Sequence, residues 1–114
     1  MPLEEKAQLL RIFIGEGDRH DGRPLHEAIV LAARRRGMAG ATVLKGAMGY
    51  GHSSRLHTAT VLRLSEDMPL VIEIVDRTDR IEAFVPELLP MIAGGLVTVE
   101  DIRVLHYSGE GPAA

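Results

Sequence analysis

The chain of 114 residues has no cysteine and no tryptophan, and its only aromatic residues are two tyrosines and two phenylalanines. Without cysteine there is no disulfide framework, no thiol nucleophile and no thiolate metal site. So few aromatic rings argue against a protein that stacks the bases of single-stranded nucleic acid. A formal net charge of −3 also lacks the basic footprint of a duplex binder. We therefore expect no nucleic-acid partner.

Long apolar runs are missing as well. No stretch approaches the roughly 20 apolar residues of a membrane span. The segment MPLEEKAQLL carries acids where a signal peptide has an apolar run. We therefore expect a cytoplasmic protein. With 46% hydrophobic residues the chain can bury its own core, and we expect one domain over residues 1–114 with a loose tail at about 108–114.

Hydrophobic periodicity predicts three strands and a helix in the first two thirds of the chain. Residues 8–15 and 41–48 have the character of half-buried strands, and the apolar run 70–75 suits a central strand. A helix is expected after Pro24, because its apolar positions form one stripe before Gly37: Leu25, Ala28, Ile29, Ala32 and Ala33.

The remaining elements are less regular. An extended run at 58–64 follows a glycine-rich tip and is expected to pair with 41–48 as a ribbon. A second helix is expected to be capped by Asp76 or Thr78 and to end before Gly94 and Gly95. Its apolar face is Ile81, Phe84, Val85, Leu88 and Ile92, and Pro86 and Pro90 are expected to kink or break it. A last strand is expected over 97–107.

This order predicts an α+β, ferredoxin-like βαββαβ sandwich, with an antiparallel sheet and both helices on one face. The other sheet face is expected to expose Phe13, Val43, Val71 and Val75. An exposed apolar face predicts a partner, most simply further copies of the same chain.

The segment from Thr42 to Val61 is the strongest candidate for a binding site. Gly46, Gly49 and Gly51 lie close together, and glycines at this density let backbone N–H groups turn towards a ligand. Lys45 adds a mobile positive charge beside them. An exposed loop lysine without a ligand is the alternative interpretation.

Other groups of polar residues in the sequence are weaker candidates for a functional site. Five histidines invite a metal site, but no pair has the i, i+4 spacing of a helical zinc site. The polar loop with Glu16, Asp18, His20 and Asp21 could support acid–base or metal chemistry, but a polar turn without a function is the favoured interpretation. Ser53, Ser54 and His57 lack a third orienting group, so hydrolase chemistry is not expected. Glu73 in an apolar strand is expected to face an interface, a water-filled cleft or a ligand.

The residues at the joints of these elements resemble those of the PII signalling superfamily, in its uncharacterised PII-like branch called domain of unknown function 190. Three segments carry the resemblance: GATVLKGAMGYG at the start of the loop, MPLVIEIVD after it, and MIAGGLVTVEDIRV at the end. The resemblance implies a homotrimer with a long T-loop that binds effectors in clefts between subunits. It implies a sensor that binds a partner protein, such as a membrane transporter or ion channel, and not an enzyme.

Carried over residue by residue, the resemblance implies a ligand site at the loop base and at a second glycine turn: Thr42, Lys45, Gly46, Gly49, Gly51, Gly94 and Gly95. The tip of the loop is expected to contact a partner protein through Tyr50, His52, Ser53, Ser54 and Arg55. This sequence departs from the PII pattern at the stretch GGLVTVEDI, where PII proteins carry a phosphate-binding lysine. Glu100 and Asp101 here are expected to repel a triphosphate.

Two function classes follow. One is a PII-like regulator that takes a nucleotide or small anion as effector at subunit clefts, with no dedicated metal. The other is a ferredoxin-like oligomer that binds a metal ion or is purely structural.

Overall fold

The computed structural model describes residues 6–50, 57–58 and 68–108. Two long strands form the centre of its main sheet, β1 (Ala7–Gly15) and β7 (Pro69–Arg77). They pair antiparallel along their whole length, from Ala7 opposite Arg77 to Gly15 opposite Pro69. β4 (Thr42–Lys45) pairs with the outer side of β7, and β8 (Leu96–Ile102) pairs with the outer side of β1.

Two helices cover one face of this sheet. They are α1 (Leu25–Arg35) and α2 (Thr78–Leu88), and a 3-10 turn (Leu89–Met91) follows α2. The strand order β4-β7-β1-β8 with these crossovers is the ferredoxin-like arrangement that the sequence predicts. Within the described ranges, neither helix has the length and hydropathy to cross a membrane.

The core lies between the helices and the sheet. Alternate residues of the two central strands are buried there, because successive side chains of a strand point to opposite faces. From the strands they are Leu10, Ile12, Ile14, Leu70, Ile72 and Ile74. All five apolar positions predicted for the first helix are buried, and α2 contributes Ile81, Phe84 and Leu88.

We use the name open face for the other side of the sheet. Directly opposite residues of paired strands share a face. The register therefore places Leu9, Arg11 and Phe13 on the open face, together with the residues opposite them in β7, which are Val75, Glu73 and Val71. Phe13, Val71 and Val75 lie on this face as predicted, but they are half-buried instead of exposed. Val43 does not lie on this face, because it pairs with the buried Ile72 on the helix-covered side, and Leu44 takes its place opposite Val71.

Several predicted boundaries were wrong. The second strand ends at Lys45 instead of Met48, because Gly46 and Ala47 leave the ladder before the short strand β5 (Met48–Gly49). The last strand ends at Ile102, and residues 103–107 are irregular instead of extended in the sheet. Pro86 does not break α2, and the helix tightens into the 3-10 turn only around Pro90.

The predicted ribbon is confirmed at its base. β5 pairs antiparallel with β6 (His57–Thr58), with Met48 opposite Thr58. The rest of the predicted run 58–64, the glycine-rich tip and the end of the tail lie outside the described residues.

Before α1, a tight hairpin joins β2 (Arg19–His20) to β3 (Arg23–Pro24). Asp21 and Gly22 form its turn with positive φ, the conformation that a two-residue hairpin of type I′ requires.

Neither predicted residue caps α2. Its N-cap is Arg77, which makes no side-chain cap. The carboxylate of Asp76 is fully buried and accepts hydrogen bonds from the backbone N–H of Ala39 at 2.9 Å and of Arg77 at 2.7 Å. The guanidinium of Arg80 lies 3.4 Å from the same carboxylate. Asp76 therefore joins the segment before β4 to the start of α2.

Replacing Asp76 with Ala is expected to destabilise the fold by about 1–3 kcal/mol, because the part-buried N–H of Ala39 loses its carboxylate acceptor. The matched variant is Asp79→Ala, which removes an exposed carboxylate that binds Arg77, and its cost is expected to be smaller. Urea unfolding of both variants measures the difference. Equal losses would show that the buried carboxylate does not join the two segments.

Candidate functional site

The long loop leaves and re-enters the sheet at one end of the central strands. The backbone N–H of Gly46 donates to the carbonyl oxygen of Pro69 at 2.8 Å, and the N–H of Glu16 donates to that of Met68 at 2.7 Å. We call these four residues and Lys45 the loop base. The loop is therefore fixed to the first residue of β7 where it leaves the sheet, and to the residue after β1 where it re-enters.

Lys45 carries the positive charge of the loop base. Its Nζ lies 3.3 Å from Oε2 of Glu16, with 59% of the lysine side chain and 34% of the glutamate side chain exposed. An ammonium group has three N–H donors, so the exposed Lys45 can meet a further acceptor. The sequence named both residues as candidates but gave no sign that they pair.

Gly46 and Gly49 both pack against Pro69, and Gly46 does so more tightly. A Cβ on Gly46 would lie 2.9 Å from Cγ of Pro69, and one on Gly49 would lie 3.3 Å from it. Neither residue has positive φ. The Gly46 N–H already binds Pro69, so the prediction that it is a free donor to a ligand is wrong for this conformation.

The second glycine turn lies at the same end of the sheet but at the opposite edge. Gly95 precedes β8, and a Cβ there would lie 2.6 Å from the carbonyl oxygen of Phe13, whereas one on Gly94 would meet nothing within 4 Å. Lys45 ends β4 at the other edge, with β7 and β1 between. Three interstrand steps separate the edges by about 14 Å. Within one chain, a small anion cannot contact both.

The other predicted site residues are dispersed or outside the described part. Thr42 lies opposite Glu73 on the open face, three residues before Lys45 and about 10 Å along the strand. Tyr50 is 77% exposed just beyond β5. The remaining predicted positions fall outside the described residues: Gly51, His52, Ser53, Ser54 and Arg55.

Three charged side chains form a connected row across the middle of the open face. Arg11 donates from Nε to Glu73 at 2.9 Å and from an Nη atom to Glu100 at 2.7 Å. The hydrogen bond that Arg11 donates to Glu73 raises the pKa of Arg11 above its ordinary value. The sequence predicted that Glu73 needs a partner, and the partner is Arg11, which sequence spacing does not identify.

Glu100 and Asp101 do not lie at the glycine turn. Glu100 is four residues beyond Leu96 in β8, which is about 13 Å along the strand. Its carboxylate binds Arg11, and that of Asp101 accepts from Gln8 at 3.0 Å. Within one chain these two acids therefore lie away from the glycine turn, and their effect on an effector bound between subunits stays a prediction.

The acidic loop after β1 does not form a cluster. Asp18 accepts from the Gly15 N–H at 3.0 Å, and His20 and Asp21 lie in the hairpin, 3.4 Å apart. Glu16 instead faces Lys45. Across the described ranges, no group of three His, Cys, Asp or Glu side chains could hold a metal ion. That statement does not include two histidines of the long loop. His52 lies outside the described residues, and for His57 only the backbone is described.

Residues 7–104 match the sequence profile of DUF190, described as "Uncharacterized ACR, COG1993". The chain belongs to this family. A UPF0166 protein of Aquifex aeolicus is 34% identical over 101 residues, covering 89% of this chain and 95% of that one. A UPF0166 protein of Methanocaldococcus jannaschii is 37% identical over 106 residues, covering 92% and 95%.

Solved structures share the fold of this DUF190 chain. CPII, a nitrogen regulatory PII-like protein from Thiomonas intermedia K12 bound to ADP, AMP and bicarbonate, superposes with a TM-score of 0.59 at 20% identity, covering 86% of this chain and 87% of that one. The divalent ion tolerance protein CutA1 from Ehrlichia chaffeensis gives 0.58 at 9% identity, covering 94% and 88%. These likenesses confirm the predicted PII-like fold, and the DUF190 profile and the UPF0166 relatives confirm the predicted family.

The two adjacent glycines of the second turn are expected to differ sharply in their tolerance of alanine. Gly95→Ala should destabilise the fold by about 1–3 kcal/mol, because its Cβ would overlap the backbone oxygen of Phe13. Gly94→Ala should stay within about 0.5 kcal/mol. Thermal and urea unfolding of both variants test this. A tolerant Gly95 would mean that the turn does not pack on β1 as described.

Proposed function

We propose that this DUF190 chain is a PII-like regulatory protein and not an enzyme. It takes a nucleotide or small anion as effector between subunits of a homotrimer, and its long loop acts as a T-loop that engages a partner protein. The observation that carries this proposal is the placement of Lys45 and the Gly94–Gly95 turn at one end of the sheet but on opposite edges. Adjacent copies could bring the two together, whereas one chain cannot.

The open face supports the assembly. An apolar row crosses all four strands at the end nearest the loop base: Leu44, Val71, Phe13 and Leu96. Leu44 is 47% exposed and Leu96 is 55% exposed. An apolar stripe of this kind is stabilised by contact with another apolar surface. Further copies of the same chain supply that surface without another partner.

The effector class is supported by charge and by the fold. Lys45 offers an exposed ammonium at the hydrogen-bonded base of the long loop. CPII shares the fold and is bound to ADP, AMP and bicarbonate, which makes these three compounds the first probes. A transporter or channel as the protein partner, and a cytoplasmic location, remain part of the proposal.

The oligomeric state is expected to depend on the open face. Light scattering should give close to three times the chain mass of 12.4 kDa. Leu44→Glu should dissociate the trimer, because it places a charge in the apolar row. Leu89→Glu is the matched control, since Leu89 is 50% exposed on the helical side. A monomeric wild type, or a Leu44→Glu variant that stays trimeric, would contradict an interface on this face.

Effector binding is expected to depend on Lys45. Lys45→Ala should weaken the binding of ADP, AMP or bicarbonate by about 1.5–3 kcal/mol, because it removes a charge-assisted hydrogen bond. Lys6→Ala is the matched control, since Lys6 lies at the far end of the sheet beside Thr78. Calorimetry on trimers of normal mass measures both.

Unchanged affinity in Lys45→Ala would exclude the loop base as the effector site. If wild-type protein binds none of the three compounds but its melting temperature rises with a divalent metal, the metal-binding alternative is favoured, because a ligand of the native state stabilises it.

A further inference from the structure

We propose that Glu16 is an internal counter-ion that limits the affinity of the loop base for anions and sets its preference among them. This inference rests on the proposed function, because it concerns the effector that Lys45 would bind. The ligand expected at this site is an anion that carries a phosphate or carboxylate group. The starting observation is the 3.3 Å approach of the Glu16 carboxylate to Nζ of Lys45.

The backbone of Glu16 is held in place from both sides. Its N–H donates to Met68 where the long loop re-enters the sheet. On the other side, Asp18 closes a turn on Gly15 through its N–H and its carboxylate, and its carbonyl oxygen accepts from the N–H of Leu25 at the start of α1. The carboxylate of Glu16 is therefore presented to Lys45 from a fixed backbone.

A ligand anion can readily replace Glu16 as the partner of Lys45. An exposed lysine–carboxylate pair contributes little net stability, because water solvates both groups well when they separate. Lys45 has the more exposed side chain of the two. An arriving anion therefore meets an accessible ammonium whose charge is already balanced by Glu16.

The charge balance makes the pair selective. Lys45 and Glu16 together carry no net charge, so a ligand anion gains the attraction of the lysine and suffers the repulsion of the glutamate. The repulsion grows with the charge of the ligand. Glu16 therefore disfavours ADP more than AMP, and AMP more than bicarbonate, relative to a site that holds only the lysine.

The test is Glu16→Gln, which removes the charge, keeps the shape and retains the backbone N–H that binds Met68. We expect ADP affinity to rise by about tenfold, with a smaller gain for AMP and the smallest for bicarbonate. Glu82→Gln is the matched control, because it makes the same charge change at an exposed position of α2. It should leave all three affinities unchanged. A gain in affinity is a result that damage to the fold would not produce.

The double variant Lys45→Ala with Glu16→Gln separates a local effect from a general one. Without the lysine, the gain from Glu16→Gln should shrink to less than twofold if Glu16 acts as the counter-ion of Lys45. A gain of the same size in both backgrounds would overturn the inference.

The outcomes distinguish this inference from the proposed function. If the wild type binds an effector, Lys45→Ala weakens it and Glu16→Gln leaves it unchanged, only the counter-ion inference fails. If neither the wild type nor Glu16→Gln binds any of the three compounds, both fail. Binding by Glu16→Gln alone would support both.

Discussion

The pairing of β1 with β7 is the constraint on which the other features depend. These two strands run side by side over nine pairs, from Ala7 opposite Arg77 to Gly15 opposite Pro69. This register places Asp76 at one end of the sheet, where its buried carboxylate joins two segments through hydrogen bonds. It places Glu16 at the other end, where Met68 and Lys45 meet it. A register slip of one residue would move every side chain of a strand to the other face.

The same register determines what the open face offers to a partner. An apolar row lies nearest the loop base, and Arg11 with its two carboxylates lies next to it. Charged groups in an interface contribute specificity more than affinity. The apolar row is suited to provide the attraction between copies, while the charged row is suited to fix how they are oriented. We propose that this division explains why Glu73 stands in the otherwise apolar run 70–75.

The sequence predicted the family, the fold and nearly all of the helical core, because these depend on local periodicity and on motifs such as the loop entry. It misplaced the features that depend on cross-strand register. Val43 was assigned to the wrong face, the partner of Glu73 was not identified, and Glu16 was grouped with its sequence neighbours instead of with Lys45. The role of Gly46 was also misjudged, since a proline 23 residues away requires it. None of these contacts has a signature at short range along the chain.

The central claim is that the effector site is shared between two chains. A crystal structure of the protein grown with ADP and bicarbonate tests this most directly. The account predicts a trimer with ligand density between Lys45 of one subunit and the Gly94–Gly95 turn of its neighbour, and with the open faces buried. Ligand bound wholly within one chain, or an assembly that leaves the apolar row exposed, would contradict it.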